Sequence, residues 1–185
     1  MKLAMKLVIL DRDGVINYDS DEFIKSPDEW IPIPGSLAAI AELNKQGFTV
    51  AIATNQSGIG RGYYSLETLN AIHQKMLQAI KDHGGEVAAL AFCPHNPDDN
   101  CECRKPKAGM LHQIAMELNA DLSKALVIGD SLRDIQAGLL VQAQAALVLT
   151  GKGEKTLSQN PEAFASVPVY KDLAALVANI NAFNL

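Results

Sequence analysis

The sequence predicts an α/β fold in which helices cover both faces of a central parallel sheet. Short apolar runs recur along the chain without alternating polar residues, which is typical of strands buried on both faces. Amphipathic stretches with helical periodicity separate these runs. The chain has 185 residues, 48% of them hydrophobic, which is enough for one domain with a full core. We therefore expect residues 1–185 to form one domain.

Each predicted element has a local signal. The predicted strands cover residues 6–10, 48–53, 87–92, 125–128 and 145–149, with a weaker sixth strand at 167–170. The predicted helices cover residues 36–46, 66–83, 108–118, 132–141 and 171–183. Gly47 follows the first helix as a C-terminal cap, Ser65 precedes the second as an N-cap, and Pro168 favours an edge position for the last strand. Residues 151–166 are predicted to form a surface loop.

Composition excludes several classes of partner. The net charge is −5, from 16 basic and 21 acidic residues, and no block of like charge suggests a nucleic-acid partner. No apolar run approaches the roughly 18 residues that span a bilayer. Residues 1–7 make a poor signal peptide, and their repeated Met-Lys-Leu makes Met5 a candidate start. We expect a cytoplasmic protein and, lacking any surplus apolar face, a monomer.

Polar residues with complementary chemistry follow the predicted strands. Asp11 and Asp13 directly follow the first strand, and burying both without a partner would cost several kcal/mol each, so they need a cation or a polar cleft. Thr54, Lys105 and Asp130 follow later strands or loops. Ligands bind at the carboxyl edge of such sheets. An aspartate nucleophile, a hydroxyl, a lysine and carboxylates for Mg²⁺ form a coherent set for phosphoryl transfer.

The order Asp-x-Asp-Gly, Thr-Asn, Lys and Gly-Asp-x-x-x-Asp is similar to the haloacid dehalogenase (HAD) superfamily. The resemblance implies a three-layer Rossmann-like fold, with Asp11 as the nucleophile and Asp13 as the general acid and base. It implies that Thr54 and Lys105 hold the phosphoryl group. It also implies that Mg²⁺ is bound by Asp11, by Asp130 and by the backbone carbonyl of Asp13.

A second cluster of ligand-forming residues lies in a loop rich in Pro, Asp and Asn. It consists of Cys93, His95, Cys101 and Cys103. Three cysteines cannot all pair in disulfides, and Cys₃His is the ligand set of a closed structural zinc site. The alternative is three reduced cysteines beside an incidental histidine. We expect a structural Zn²⁺ that fixes residues 93–103.

Three motifs narrow the resemblance to one family. Residues 55–62 (Asn-Gln-Ser-Gly-Ile-Gly-Arg-Gly), 93–95 (Cys-Pro-His) and 101–106 (Cys-Glu-Cys-Arg-Lys-Pro) resemble the D-glycero-D-manno-heptose 1,7-bisphosphate 7-phosphatase family. This implies removal of the 7-phosphate during synthesis of the nucleotide-activated heptose of lipopolysaccharide. The substrate contacts that it implies are Asp19, Ser20, Asp21, Glu22, Asn55, Gln56, Ser57 and Arg104. Ser131 stands where family members often have lysine, which leaves the roles of Ser131, Arg61 and Arg133 open.

Segments 15–53 and 56–104 are too short for a large cap domain, so we expect an open site. His73 lies in a predicted helix without a metal-ligand partner and is expected at the surface or its boundary.

Two other functions remain open. Histidinol-phosphate phosphatases share the zinc loop and the catalytic set, and a catalytically inactive, zinc-stabilised binding module would retain the fold.

Overall fold

The structure, a computed structural model, describes residues 5–185, so most of the segment that makes a poor signal peptide lies outside it. Within the described residues, the strands are β1 (Lys6–Leu10), β2 (Phe48–Asn55), β3 (Ala89–Cys93), β4 (Ala125–Gly129), β5 (Gln144–Val148) and β6 (Val169–Tyr170). The helices are α1 (Ser36–Lys45), α2 (Leu66–Asp82), α3 (Gly109–Leu118), α4 (Leu132–Leu140), α5 (Gly153–Gln159) and α6 (Leu173–Val177). All strand pairs are parallel, in the order β3-β2-β1-β4-β5-β6. The predicted α/β fold is confirmed.

Strand β1 shows why the molecule has three layers. Val8 and Leu10 pack in one apolar cluster with side chains of α1, α2 and α6. Leu7 and Ile9 point to the other face and pack in a second cluster with α3 and α4. All four side chains are fully buried, and each contributes about 1.5–3 kcal/mol through burial. The uninterrupted apolar run in the sequence therefore reflects a strand with a helical layer on each side.

Two predictions about the C-terminal third were wrong. Residues 151–166 contain α5 and a 3₁₀ turn, Pro161–Phe164, instead of a loop. Little of α5 is buried beyond Gly153 and Thr156, so no apolar periodicity marks it in the sequence. The helix predicted over 171–183 is limited to α6 and a 3₁₀ turn, Ile180–Ala182. Asn179 donates its side-chain amide to the Ala175 carbonyl, a local bond that competes with helix continuation.

The strand order places three strand ends side by side. The chain runs from β1 outward to β3 and then crosses back to β4, on the other side of β1, which creates a topological switch point. Leu10 is in register with Ile52 of β2 and Ile128 of β4, so the residues that follow β1 and β4 lie beside the last residues of β2, Ala53–Asn55. The described chain holds only α1 and a 3₁₀ turn between β1 and β2, and α2 between β2 and β3, with no large cap domain. No helix within residues 5–185 is long and apolar enough to cross a membrane.

Candidate active site

Three carboxylates and one lysine meet at the switch point. Asp11, Asp130 and Asp134 each place a carboxylate oxygen within 4.8 Å of the others. The buried Lys105 Nζ lies 3.0 Å from Asp11 Oδ1 and 2.6 Å from Asp134 Oδ1. It also donates to the Ala53 carbonyl at 2.7 Å, which uses its third hydrogen. A single ammonium group therefore contacts two of the three carboxylates.

The electrostatics of this cluster favour a bound cation. Burial raises the pKa of Asp11 to about 7 against the attraction of Lys105, and Asp134 and Asp13 raise it further. Burial, together with Asp11 and Asp134, raises the pKa of Asp130 to about 8. The pKa of Lys105 is also raised, because Asp11 and Asp134 outweigh its burial. The cluster has more negative charge than its lysine neutralises, and carboxylate oxygens are the ligands that Mg²⁺ prefers.

Two glycines make room for Asp130. Gly14 and Gly151 both have positive φ, +81° and +58°, and a Cβ on either would collide with the Asp130 carboxylate. The Lys152 N–H donates to Asp130 Oδ2 at 2.8 Å, and the Thr156 hydroxyl donates to the Asp130 carbonyl at 3.0 Å. These contacts hold the carboxylate on the side of Asp11. The donor set and its close-fitting cradle suit a small hard cation.

The surroundings of Asp13 shift its pKa in the opposite direction from those of Asp11 and Asp130. Its carboxylate accepts from Arg12 Nη2 at 2.9 and 3.0 Å, from Asn17 Nδ2 at 2.9 Å and from Gln56 Nε2 at 2.8 Å. Burial alone would raise the pKa of Asp13, but Arg12 and these hydrogen bonds hold it below its usual range. The Asp13 side chain is outside the three-carboxylate cluster, in keeping with a predicted magnesium contact through its backbone carbonyl. Asp134, which was not in the predicted ligand set, occupies the third position in that cluster.

Three residues around Asp13 were not predicted from the sequence. Arg12 is fully buried, and its Nη1 donates to His73 Nε2 at 3.3 Å. The expectation that His73 lies at the surface or its boundary is wrong. Burial and Arg12 lower the pKa of His73 to about 4, so it accepts as a neutral imidazole. The Tyr64 hydroxyl donates to Gln56 Oε1 at 2.7 Å. The only local signal was an arginine between two carboxylates directly after a buried strand.

Most of the predicted substrate contacts line the cleft above these groups. Those that do are Asp19, Ser20, Asp21, Asn55, Gln56, Ser57 and Arg104. Glu22 is exposed and is not among the described residues that line the cleft. Asn55 exchanges two hydrogen bonds with the Lys105 backbone, at 3.1 and 3.2 Å. Because Asn55 and Gln56 already hold protein groups, their contact with substrate stays a prediction.

Cationic groups surround the mouth of the cleft. Arg104, Arg133 and Lys152 line it, and Lys152 Nζ lies 2.9 Å from Asp19 and 3.7 Å from Asp21. Burial and the neighbouring Arg133 lower the pKa of Arg104. The rim therefore offers positive charge to an anionic group beyond the carboxylate cluster. Ser131 caps α4: its N–H and hydroxyl donate to Asp134 Oδ2 at 3.0 and 2.6 Å.

The four predicted zinc ligands come together beside the cleft. Cys93 Sγ lies 3.6 Å from Cys101 Sγ and 3.7 Å from His95 Nδ1, and His95 Nδ1 lies 3.2 Å from Cys103 Sγ. Tetrahedral zinc with bonds of about 2.0–2.3 Å separates its ligand atoms by roughly 3.3–3.8 Å. The cysteines are unpaired thiols, and burial raises the pKa of Cys93 to about 12. The donor set fits zinc, and binding would displace the thiol protons.

Comparisons with known proteins agree with this geometry. The HAD-hydrolase-like family model matches residues 102–176. A D-glycero-β-D-manno-heptose-1,7-bisphosphate 7-phosphatase from Pseudomonas putida is 54% identical over 177 residues, covering 95% of this chain and 99% of that protein. A relative of the same name from Neisseria meningitidis is 56% identical over 156 residues, covering 84% of this chain and 83% of its own.

A solved structure points to the same family as these relatives. The D,D-heptose 1,7-bisphosphate phosphatase from Bordetella bronchiseptica, complexed with magnesium and phosphate, superposes with a TM-score of 0.90 at 52% identity, covering 96% of this chain and 99% of that chain. The fold and the carboxylate cluster together define a hydrolase of the HAD superfamily. Within that superfamily, the chain belongs to the D-glycero-β-D-manno-heptose-1,7-bisphosphate 7-phosphatase family.

Proposed function

We propose that this chain is a Mg²⁺-dependent phosphatase that removes the 7-phosphate from D-glycero-β-D-manno-heptose 1,7-bisphosphate. The observation that carries the proposal is the convergence of Asp11, Lys105 and Asp130 at the switch point of the sheet. The substrate and its β anomer are those named for relatives with more than half of their aligned residues identical to this chain.

The proposed reaction has two steps. Asp11 attacks the phosphorus of the 7-phosphate, an aspartyl phosphate forms, and the oxygen of the sugar leaves with a proton from Asp13. Water then attacks the aspartyl phosphate, Asp13 takes its proton, and inorganic phosphate leaves. The ionised form of Asp13 that Arg12 favours suits this second step. Thr54 and Lys105 stabilise the charge on the phosphoryl oxygens.

Asp11, Asp130 and the backbone carbonyl of Asp13 would hold the Mg²⁺. The bound ion would supply positive charge that neutralises the phosphoryl oxygens. At the other end of the substrate, Arg104 and Arg133 line the rim of the cleft and offer bidentate donors for the 1-phosphate.

The zinc loop has a structural part in this proposal. Cys93, His95, Cys101 and Cys103 would fill all four positions of a tetrahedral zinc ion, which leaves none for a reacting water. Cys103 directly precedes Arg104 and Lys105 in the chain, so zinc would fix the approach of both side chains to the cleft.

The test is phosphate release in the presence of Mg²⁺, with the β anomer, the α anomer and histidinol phosphate at matched concentrations. We expect kcat/KM for the β anomer to be at least about 10-fold above the others, or about 1.4 kcal/mol. A preference for histidinol phosphate would move the chain to the alternative substrate and keep the aspartyl-phosphate chemistry. Release from none of the three by the folded, metal-loaded protein would contradict a phosphatase function.

Three further expectations concern the domain, the oligomeric state and the location of the protein. We infer that residues 1–185 form one domain, that the protein acts as a monomer and that it works in the cytoplasm. Light scattering after size-exclusion chromatography tests the monomer, and cell fractionation tests the location. Limited proteolysis tests the single domain, for which we expect a resistant core close to full length.

A further inference from the structure

We infer that Gln56, held by Tyr64, is a positioning residue that aligns Asp13 and Thr54 for phosphoryl transfer. This role differs from the predicted contact of Gln56 with substrate. It rests on the proposed function, because it assigns Asp13 to the leaving oxygen and Thr54 to the phosphoryl group.

All the hydrogen-bonding capacity of the Gln56 amide is used inside the protein. Its Nε2 donates to Asp13 Oδ2 at 2.8 Å and to Thr54 Oγ1 at 2.9 Å. Its Oε1 accepts from the Tyr64 hydroxyl at 2.7 Å and from Arg12 Nη2 at 3.2 Å. A side-chain amide has two donor hydrogens and two acceptor lone pairs, so none is left for a ligand. Gln56 is only 3% exposed, so water cannot easily replace these hydrogen bonds. Losing one of them would leave a buried polar group unsatisfied.

Tyr64 and Arg12 fix which way the amide faces. Arg12 donates at all of its nitrogens, so the Gln56 atom next to it must be the oxygen. A reversed amide would also place its oxygen against the Asp13 carboxylate. The resulting orientation forces Thr54 to accept from Gln56, because Nε2 can only donate. The hydroxyl hydrogen of Thr54 is then left to donate elsewhere, which is what an oxygen of a bound phosphoryl group requires.

The residues that precede Tyr64 in the chain leave room for its ring and turn it inward. A Cβ on Gly58 would collide with the Tyr64 ring, so Gly58 makes the space that the ring fills. The Tyr63 N–H donates to the Gly58 carbonyl at 2.8 Å and closes the turn that brings Tyr64 inward. Burial raises the pKa of Tyr64 to about 12, so its hydroxyl remains a donor at neutral pH. Tyr64 is 8% exposed, whereas the adjacent Tyr63 is 54% exposed.

The experiment compares Gln56→Glu, Tyr64→Phe and the matched control Tyr63→Phe on a series of aryl phosphates whose leaving groups span pKa values of about 4 to 10. Gln56→Glu keeps the shape but replaces the donor that serves Asp13 and Thr54 with an acceptor. We expect kcat/KM to fall by about 100-fold in Gln56→Glu and by about 10-fold in Tyr64→Phe. We expect the fall to be largest for the poorest leaving groups, because these depend most on a well-placed proton donor. Tyr63→Phe should match the wild type.

The dependence on the leaving group separates positioning from substrate contact and from instability. Equal losses across the series, or a raised KM with unchanged kcat, would overturn the inference. Thermal midpoints identify a variant that loses activity by unfolding, and Tyr64→Phe, which keeps its ring, then decides the question. Aryl phosphates make the test independent of the sugar. A wild-type enzyme active on them but inactive on the heptose bisphosphate would refute the proposed substrate and leave the expected pattern in the variants intact.

Discussion

The two metal-ligand clusters differ in what holds them together. Asp11 and Asp130 each directly follow a buried strand, and Lys105 supplies a positive charge within the cluster. In the second cluster, Cys93 ends β3, whereas His95, Cys101 and Cys103 lie in a segment whose only regular element is a 3₁₀ turn, Pro97–Asp99. The sheet thus builds the first cluster without a metal, whereas the second depends on a loop of which only the three cysteines pack on the core.

This difference predicts different consequences of metal loss. Removing Mg²⁺ should abolish activity and leave the fold intact, because the carboxylates keep a lysine partner. Removing Zn²⁺ should loosen residues 93–103, because metal binding supplies the folding energy of such loops. The following substitutions test this contrast, in order of their expected effect on activity.

Asp11→Asn should have the largest effect. It removes the nucleophile while keeping the shape, and we expect kcat to fall by at least about 10⁴-fold, more than 5 kcal/mol. Zinc content and the thermal midpoint should stay close to those of the wild type, and the exposed Asp82→Asn serves as the control. Full activity in Asp11→Asn would refute the covalent mechanism.

Gly14→Ala should weaken magnesium binding. The new Cβ would push against the Asp130 carboxylate, and the Mg²⁺ concentration for half-maximal activity should rise by roughly 10–100-fold. Gly84→Ala is a matched control, because Gly84 has the same φ of +81° and no atom within 4 Å of the added Cβ. Both variants have the same backbone strain, about 1–2 kcal/mol. A similar magnesium requirement in the two would show that the cradle around Asp130 does not matter.

Cys101→Ser should act mainly on stability. We expect loss of bound zinc, a thermal midpoint lower by roughly 5–15 °C, equivalent to several kcal/mol, and a modest loss of activity of about 10-fold. The activity loss would follow from disorder next to Arg104 and Lys105. Metal analysis and calorimetry measure both effects, and unchanged zinc stoichiometry would show that the ligand set is wrong.

Glu102→Gln should have almost no effect. Glu102 and Lys107 form an exposed ion pair at 2.8 Å in the same region, and such pairs contribute about 0–1 kcal/mol. We expect a shift in the thermal midpoint of about 2 °C or less, with zinc retained. A large destabilisation would mean that surface charges, and not zinc, stabilise this loop.

The sequence predicts the layers of the fold and the residues gathered at the sheet edge because both have linear signals. Apolar runs mark the buried strands, and Asp11, Thr54 and Asp130 stand at their ends. Helix α5 was missed because only a few of its side chains are buried, so no apolar stripe reveals it.

The polar network around Asp13 could not be predicted for a different reason. Arg12 meets His73, which is 61 positions away in the chain, and the contact exists only once α2 packs beside β1. The direction of the Gln56 amide depends on Tyr64 and Arg12 together. Propensity and spacing hold no information about such an orientation, which follows from satisfying each buried donor and acceptor.

The saturated hydrogen bonds of Lys105 have a consequence for the protein in a living cell. Because this ammonium group already neutralises part of the buried acid, a newly made chain can complete its sheet before it meets magnesium. Zinc would be needed as the loop forms, and magnesium only for catalysis. A cell short of magnesium would thus keep a folded reserve of enzyme that recovers at once, whereas a cell short of zinc would accumulate chains open to proteolysis at residues 93–103.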